Sequence, residues 1–271
     1  MLKRLTRASV LLIVFLRPVA ADELPPSAPL YSLEPCCEIC TAAQNPANYT
    51  TALSREFKIL IEGKENWLFR SNVDLLVSPG PQIDGAYQEL KRFSDALKSQ
   101  GVTLVMVIIP TRGMLHSEHL PEPYRGQYPV ALAQKNYRTM INKIKNEGII
   151  AVDLSTLFNE PHGDFFFKRD HHWTPYGARQ SADLVAKEIK NLEIYKSINK
   201  IDYKTNPSGI VLKTGTHQLA LKDVCGFGLS DQVVEQFVTE PVNSDSNLFE
   251  EAQAGITLVG TSNSSPTYRN L

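Results

Sequence analysis

The chain has 271 residues, 28 Lys and Arg against 29 Asp and Glu, a formal charge of −1 and 42% hydrophobic residues. This excludes collagen-like, fibrous and wholly disordered chains, and four Cys are too few for a disulfide-built miniprotein. A charge near zero also argues against electrostatic nucleic-acid binding, which needs a basic face.

The N-terminus reads as an address. Lys3, Arg4 and Arg7 precede a short apolar run, Ala8 to Leu16, and Val19-Ala20-Ala21 supplies small residues at a cleavage site. Residues 1–21 are therefore expected to be a secretory signal, the run being too short for a spanning helix. Its removal takes four basic and no acidic residues, leaving 24 against 29 and a charge of −5. Export makes the cysteines readable as structural. Cys36, Cys37 and Cys40 cluster in a Pro- and Asn-rich arm at 22–50, and Cys225 stands far downstream. In an oxidising compartment this suggests a bridge from the cluster to Cys225.

The body, 51–271, alternates strands and helices. Phe57 to Ile61 and Trp67 to Arg70 read as strands around Gly63-Lys64-Glu65-Asn66. From Asp84 to Gln100, Tyr87, Leu90, Phe93 and Leu97 share a helical face, and Gly101 stops it. Val102 to Ile109 is an apolar run suited to a strand buried on both faces. A second helix is expected at Ala131 to Glu147, ended by Gly148, and a strand at Ile149 to Leu154. Thr174-Pro175 signals a helix start. Short strand-like pieces follow at Gly209 to Lys213 and His217 to Leu221, and a last strand at Ile256 to Val259. The pattern implies an α/β layer with a mostly parallel sheet and flanking helices.

In such sheets, sites form beyond the carboxyl ends of the strands. Arg112, the block Asp170-His171-His172-Trp173-Thr174, and Ser262 all fall there. Asp170 and His172 are two apart, so in extended backbone both side chains point the same way. Asp170 would orient His172, His172 would deprotonate Ser262, and the hydroxyl would attack an ester carbonyl. The Ser262 N–H and a neighbouring donor would hold the oxyanion. Bland readings stand beside this one. Ser262 could be a turn residue with Ser264 and Ser265 as rivals, and Arg112 a salt-bridge partner. His171 and His172 with Asp164 and His162 could hold a metal. Trp67 and Trp173 read as core rather than sugar platforms.

Four blocks occur together in one order: Gly63-Lys64-Glu65-Asn66-Trp67-Leu68-Phe69, Pro110-Thr111-Arg112-Gly113, Asp170-His171-His172-Trp173-Thr174-Pro175 and Gly260-Thr261-Ser262-Asn263-Ser264. From about Leu33 onward the chain resembles the AlgX/AlgJ-like alginate O-acetyltransferases, whose domain is SGNH-hydrolase-like. The resemblance implies a triad of Ser262, His172 and Asp170, with Arg112 and Tyr268 at the substrate or oxyanion. Asp-His precedes Ser, a permuted order relative to most SGNH hydrolases, and Thr261 stands where the superfamily usually has Asp. The family continues well past the nucleophile, so the domain is expected to lack its C-terminal part. The implied activity is acetyl transfer, through a serine acetyl-enzyme, to mannuronate hydroxyls of alginate in the periplasm. Its partners would be the polymer, an acetyl donor and the periplasmic alginate secretion and acetylation proteins; no cofactor is expected. A carbohydrate acetylesterase on the same triad, and a non-catalytic polymer-binding subunit, are the alternatives.

Overall fold

The structure, a computed structural model, describes residues 9–14, 39–78, 83–158, 163–242 and 255–264, with backbone alone at 9–14, 83 and 84. In chain order the elements are β1 (Ser9–Val14), α1 (Ala52–Glu56), β2 (Leu60–Glu62), β3 (Leu68–Arg70), α2 (Ile83–Ser99) and β4 (Val102–Val107). Next come α3 (Arg112–Leu115), α4 (Glu122–Gln127), α5 (Val130–Asn146), β5 (Ile150–Val152) and α6 (Pro175–Lys190). Last are β6 (Tyr203–Lys213), α7 (Thr216–Cys225), β7 (Gln232–Pro241) and β8 (Ile256–Gly260). Four strands form a parallel sheet in the order β5-β4-β1-β8. Two antiparallel pairs, β2-β3 and β6-β7, lie outside it.

The sheet is built where apolar runs meet helical stripes. Val105 in β4 and Ile141 in α5 are fully buried in one cluster with Leu104, Val107, Ile144 and Trp67. Each such side chain contributes roughly 1.5–3 kcal/mol relative to exposure. The helix stops fall at the glycines expected: Gly101 and Gly148 follow α2 and α5 with φ of 76° and 79°, a conformation that suits glycine. On α2, Tyr87, Leu90 and Leu97 pack onto the core, whereas Phe93 is exposed because it lies at the margin of the stripe.

One expectation changes. His217 to Leu221 is helix, not strand. Its alternation is too short to fix a period, and Ala220, Leu221 and Val224 pack at helical spacing against Tyr49, Phe57, Leu60 and Leu68. The run expected to be a leader forms a strand in this structure, which leaves the leader expectation open. β1 pairs Ser9 with Val102 on one edge and Val10 with Ile256 on the other. A short apolar, β-branched run suits a slot between two parallel strands as well as it suits a signal. Cleavage after Ala21 and this strand exclude each other in one mature chain.

Cys40 bonds Cys225, joining the arm to the C-terminus of α7 across 185 residues; Cys36 and Cys37 lie outside the described residues. Closing so long a loop restricts the unfolded chain. Replacing both Cys40 and Cys225 by Ala is expected to reduce stability by about 2–5 kcal/mol. Urea melts of the two proteins check this, and coincident midpoints would show that the bridge contributes nothing.

Candidate functional site

The site is assembled on the loop between β5 and α6. Phe166 bridges Trp173, and the Phe167 N–H donates to the His172 carbonyl at 3.1 Å, so residues 168–171 turn back on themselves. Thr174 then caps α6, its hydroxyl accepting from the Gly177 N–H at 3.1 Å, with Pro175 in the first turn. The short return puts Asp170 and His172 side by side. Asp170 Oδ1 accepts from the His172 N–H at 2.9 Å and meets His172 Nδ1 in a short hydrogen bond. The opposite ring nitrogen, Nε2, lies 2.8 Å from Ser262 Oγ.

Ser262 opens a tight turn directly after β8 and is exposed, whereas His172 and Asp170 are buried. The neighbouring Asn263 is buried, and its Oδ1 accepts from the Trp173 N–H at 3.1 Å. That bond stitches the serine turn to the histidine loop. Ser264 is occupied, its hydroxyl donating to the Thr261 carbonyl at 2.6 Å. Ser265 and Tyr268 lie outside the described residues.

Asp170 also has an outer hold. Its Oδ2 accepts from the Thr216 N–H at 3.0 Å, at the start of α7, and lies 3.7 Å from Lys213 Nζ at the end of β6. Gly215 is required between them, because a Cβ there would sit 1.8 Å from the Arg169 carbonyl oxygen. Burial alone would raise the Asp170 pKa. The hydrogen bond and charge of His172, then Lys213 and His171, outweigh it and hold the carboxyl well below its usual range. Sequence reasoning found none of Lys213, Thr216 and Asn263. Gly215-Thr216 ahead of an apolar run was a helix-start signal that could have pointed to one of them.

Arg112 is buried rather than presented at the surface beside Ser262. It is 1% exposed and sits beneath the 167–170 turn. Its Nη1 donates to the carbonyls of Phe167 (2.7 Å) and Lys168 (3.3 Å), and its Nη2 to that of Asp170. Its guanidinium also lies 5.3 Å from the ring centres of Trp67 and Phe166. Arg112 Nε is 3.7 Å from Asp74 Oδ2, and Asp74 is also paired to Arg70 at 2.9 Å and lies 3.5 Å from His217 Nε2. Burial draws the Arg112 pKa down to about 10, with Asp74 opposing. The arginine expected to touch substrate therefore anchors the backbone that carries the aspartate and histidine.

Among the described residues, two groups bring ligand-type atoms together: Asp170, His171 and His172, and separately His116, Glu118 and His119. In the first, both nitrogens of His172 are engaged, and His171 Nδ1 bonds Thr216 Oγ1 at 2.7 Å. In the second, His116 Nε2 accepts from the Phe165 N–H at 3.1 Å, which assigns the ring proton to Nδ1. Glu118 Oε1 lies 3.5 Å from both His116 Nδ1 and His119 Nε2. His162 lies outside the described residues, and Asp164 faces Lys168 Nζ at 4.0 Å.

Two rings near the site, the buried His217 and the half-buried His171, are held neutral. Desolvation first, then the neighbouring His172, lowers the His171 pKa to about 3. Desolvation and then Arg112 lower that of His217 to about 4. On unfolding both rings return to 6.5, so between pH 6.5 and 4 the unfolded chain binds more protons. Stability is therefore expected to fall as pH drops through that window, by up to about 1.4 kcal/mol per pH unit for each ring. Urea midpoints measured from pH 7 downward check it; midpoints that do not change would contradict the burial of these rings.

The geometry agrees with similarities to known proteins. A family model described as the SGNH hydrolase-like domain of acetyltransferase AlgX matches residues 60–271. The chain is 38% identical over 259 residues to the alginate biosynthesis protein AlgX of Pseudomonas fluorescens, covering 92% of this chain and 53% of that one. It is 24% identical over 197 residues to a probable alginate O-acetylase AlgJ of Pseudomonas aeruginosa, covering 72% and 47%. Thus the chain spans about half the length of the curated relatives it matches. The solved structure of Pseudomonas aeruginosa AlgX matches with a TM-score of 0.70 at 35% identity, over 75% of this chain and 50% of that one. The O-acetyltransferase domain of Pseudomonas putida AlgJ shares the fold, with a TM-score of 0.54 at 22% identity over 68% and 66%. With its α/β sheet and its Asp-His-before-Ser order, the chain belongs to the AlgX family of SGNH hydrolase-like domains.

Proposed function

We propose that this chain is an O-acetyltransferase domain that forms a serine acetyl-enzyme and passes the acetyl group to mannuronate hydroxyls of alginate. The observation that carries this is the unbroken hydrogen-bond path from Asp170 through His172 to an exposed Ser262 hydroxyl. Asp170 accepts at Nδ1, which leaves Nε2 as the proton acceptor toward Ser262. His172 takes the Ser262 proton as Oγ attacks the acetyl carbonyl of the donor, and the Ser262 N–H faces the developing oxyanion. The protonated imidazole then gives its proton to the donor's leaving group. In the second half a sugar hydroxyl loses its proton to His172 and attacks the acetyl-serine. Ser262 leaves as the alcohol, recovering that proton.

The names of the AlgX and AlgJ relatives support alginate as the acceptor. The periplasmic alginate acetylation and secretion proteins are the expected partners, and the periplasm the expected location. Among the described residues, no helix is long and apolar enough to cross a membrane. Exposure of Ser262 favours a second reading, acetylesterase, because water can reach the same acetyl-enzyme. Both tryptophans, Trp67 and Trp173, are buried, which argues against a purely polymer-binding subunit built on them.

Ser262→Ala is expected to lower turnover of a chromogenic acetyl ester by at least ~10³-fold; retained turnover removes the nucleophile assignment. Mass spectrometry of an oligomannuronate incubated with chain and acetyl ester separates the two reactions. Gain of acetyl mass means transfer, and loss from a pre-acetylated oligomer means hydrolysis. N-terminal sequencing of the exported protein is expected to begin at Asp22. A mature chain that keeps residues 9–14 would assign them to β1 and end the leader reading.

A further inference from the structure

Beside the triad a cavity of about 1250 Å³ runs between α6 and the β6-β7 ribbon, and both Trp173 and Ser264 line it. Arg169, Lys168, Arg179 and the exposed Lys190 are also in its wall, together with the acidic Asp164, Asp231 and Glu235. Lys168 is committed, with Nζ 3.1 Å from Glu65, and Arg179 Nε lies 3.9 Å from Asp183. Arg169 differs from both. It is 8% exposed and its Nε is buried without a hydrogen-bond partner. Among the described residues no carboxylate lies within ion-pair distance of its guanidinium. The acidic group whose field reaches it, Asp231, has Oδ1 bonded to Thr214 (2.8 Å) and Gln218 (3.1 Å). The Arg169 backbone is pinned, its N–H donating to Gln232 at 2.7 Å and its carbonyl lying against Gly215.

A guanidinium withdrawn from water without a counter-ion is unfavourable, and the cost is recovered when an anion enters. A planar fork of N–H donors fits a carboxylate, which accepts two parallel hydrogen bonds. We infer that Arg169 is the carboxylate-recognition residue of this cavity and binds the C6 carboxylate of a uronate unit while a hydroxyl of the polymer reaches Ser262. This rests on the acetyl-transfer reading and adds to it the group on the acceptor that is read. It also explains how a chain with 29 acidic against 28 basic residues engages a polyanion: one committed site substitutes for a broad basic face.

The test is calorimetric titration of the Ser262→Ala chain with oligomannuronate and with its methyl ester, whose carboxylates are masked. Masking is expected to weaken binding at least ~10-fold in the chain that retains Arg169. Adding Arg169→Gln is expected to weaken the free acid by a similar factor and leave the methyl ester nearly unaffected, and Arg169→Lys is expected to recover part of the difference. Equal affinities for acid and ester with Arg169 present, or equal weakening of both by Arg169→Gln, would overturn the inference. So would displacement of the oligomer by sodium acetate at matching carboxylate concentration, which would make the site a general small-anion site. The two readings fail separately, since turnover that survives Ser262→Ala refutes the reaction, while the titrations report on Arg169 alone.

Discussion

The Arg112 guanidinium, buried under the turn at 167–170, donates to the carbonyls of Phe167, Lys168 and Asp170, and the geometry of the triad descends from that contact. A buried cation would be a liability by itself. Asp74 supplies the opposing charge and shares it with Arg70. Burial would raise the Asp74 pKa, and Arg70, His217 and Arg112 together hold it well below the usual range. The network therefore stays ionised where a lone group would neutralise. Its consequence is mechanical: three carbonyls pulled toward one point fix the turn, and the turn aims the Asp170 carboxylate at His172.

From Asp170 the support spreads across the chain. The N-terminus of α7 holds the outer carboxylate oxygen through Thr216, and the C-terminus of the same helix is bonded to the arm through Cys40–Cys225. Thr51 Oγ1 adds a hydrogen bond to Asp223 at 2.8 Å on that helix. On the opposite side Asn263 ties the serine turn to Trp173. Neither loop is rigid by propensity, so these cross-chain bonds are what keep the hydroxyl within reach of the ring. The result is an exposed Ser262 hydroxyl on the buried supports of His172 and Asp170.

Arg112 and Arg169 are separated by environment. Arg112 spends both terminal nitrogens on carbonyls, lies against aromatic rings and has Asp74 3.7 Å from its Nε, and so acts on the backbone. Arg169 is next to Asp170 in sequence but turns into the cavity wall, where its donors are left without a carboxylate.

The helices α2, α5 and α6, the strands β4, β5 and β8, and the order Asp170, His172, Ser262 were legible in the amino-acid sequence. Periodicity, capping glycines and Thr174-Pro175 are local signals, set by backbone sterics and side-chain burial within a few residues. Short apolar runs such as Ser9–Val14 and His217–Leu221 were not, because composition cannot separate strand from helix or leader at that length. Nor could spacing reveal that Lys213, Thr216 and Asn263 support the triad, or that Arg112 lies below it rather than beside it. Those assignments depend on contacts between residues 43 to 90 positions apart. Hydrogen-bond direction and burial exist only once the chain has folded, so the sequence determined which chemistry was present and the tertiary structure decided which groups were free to use it.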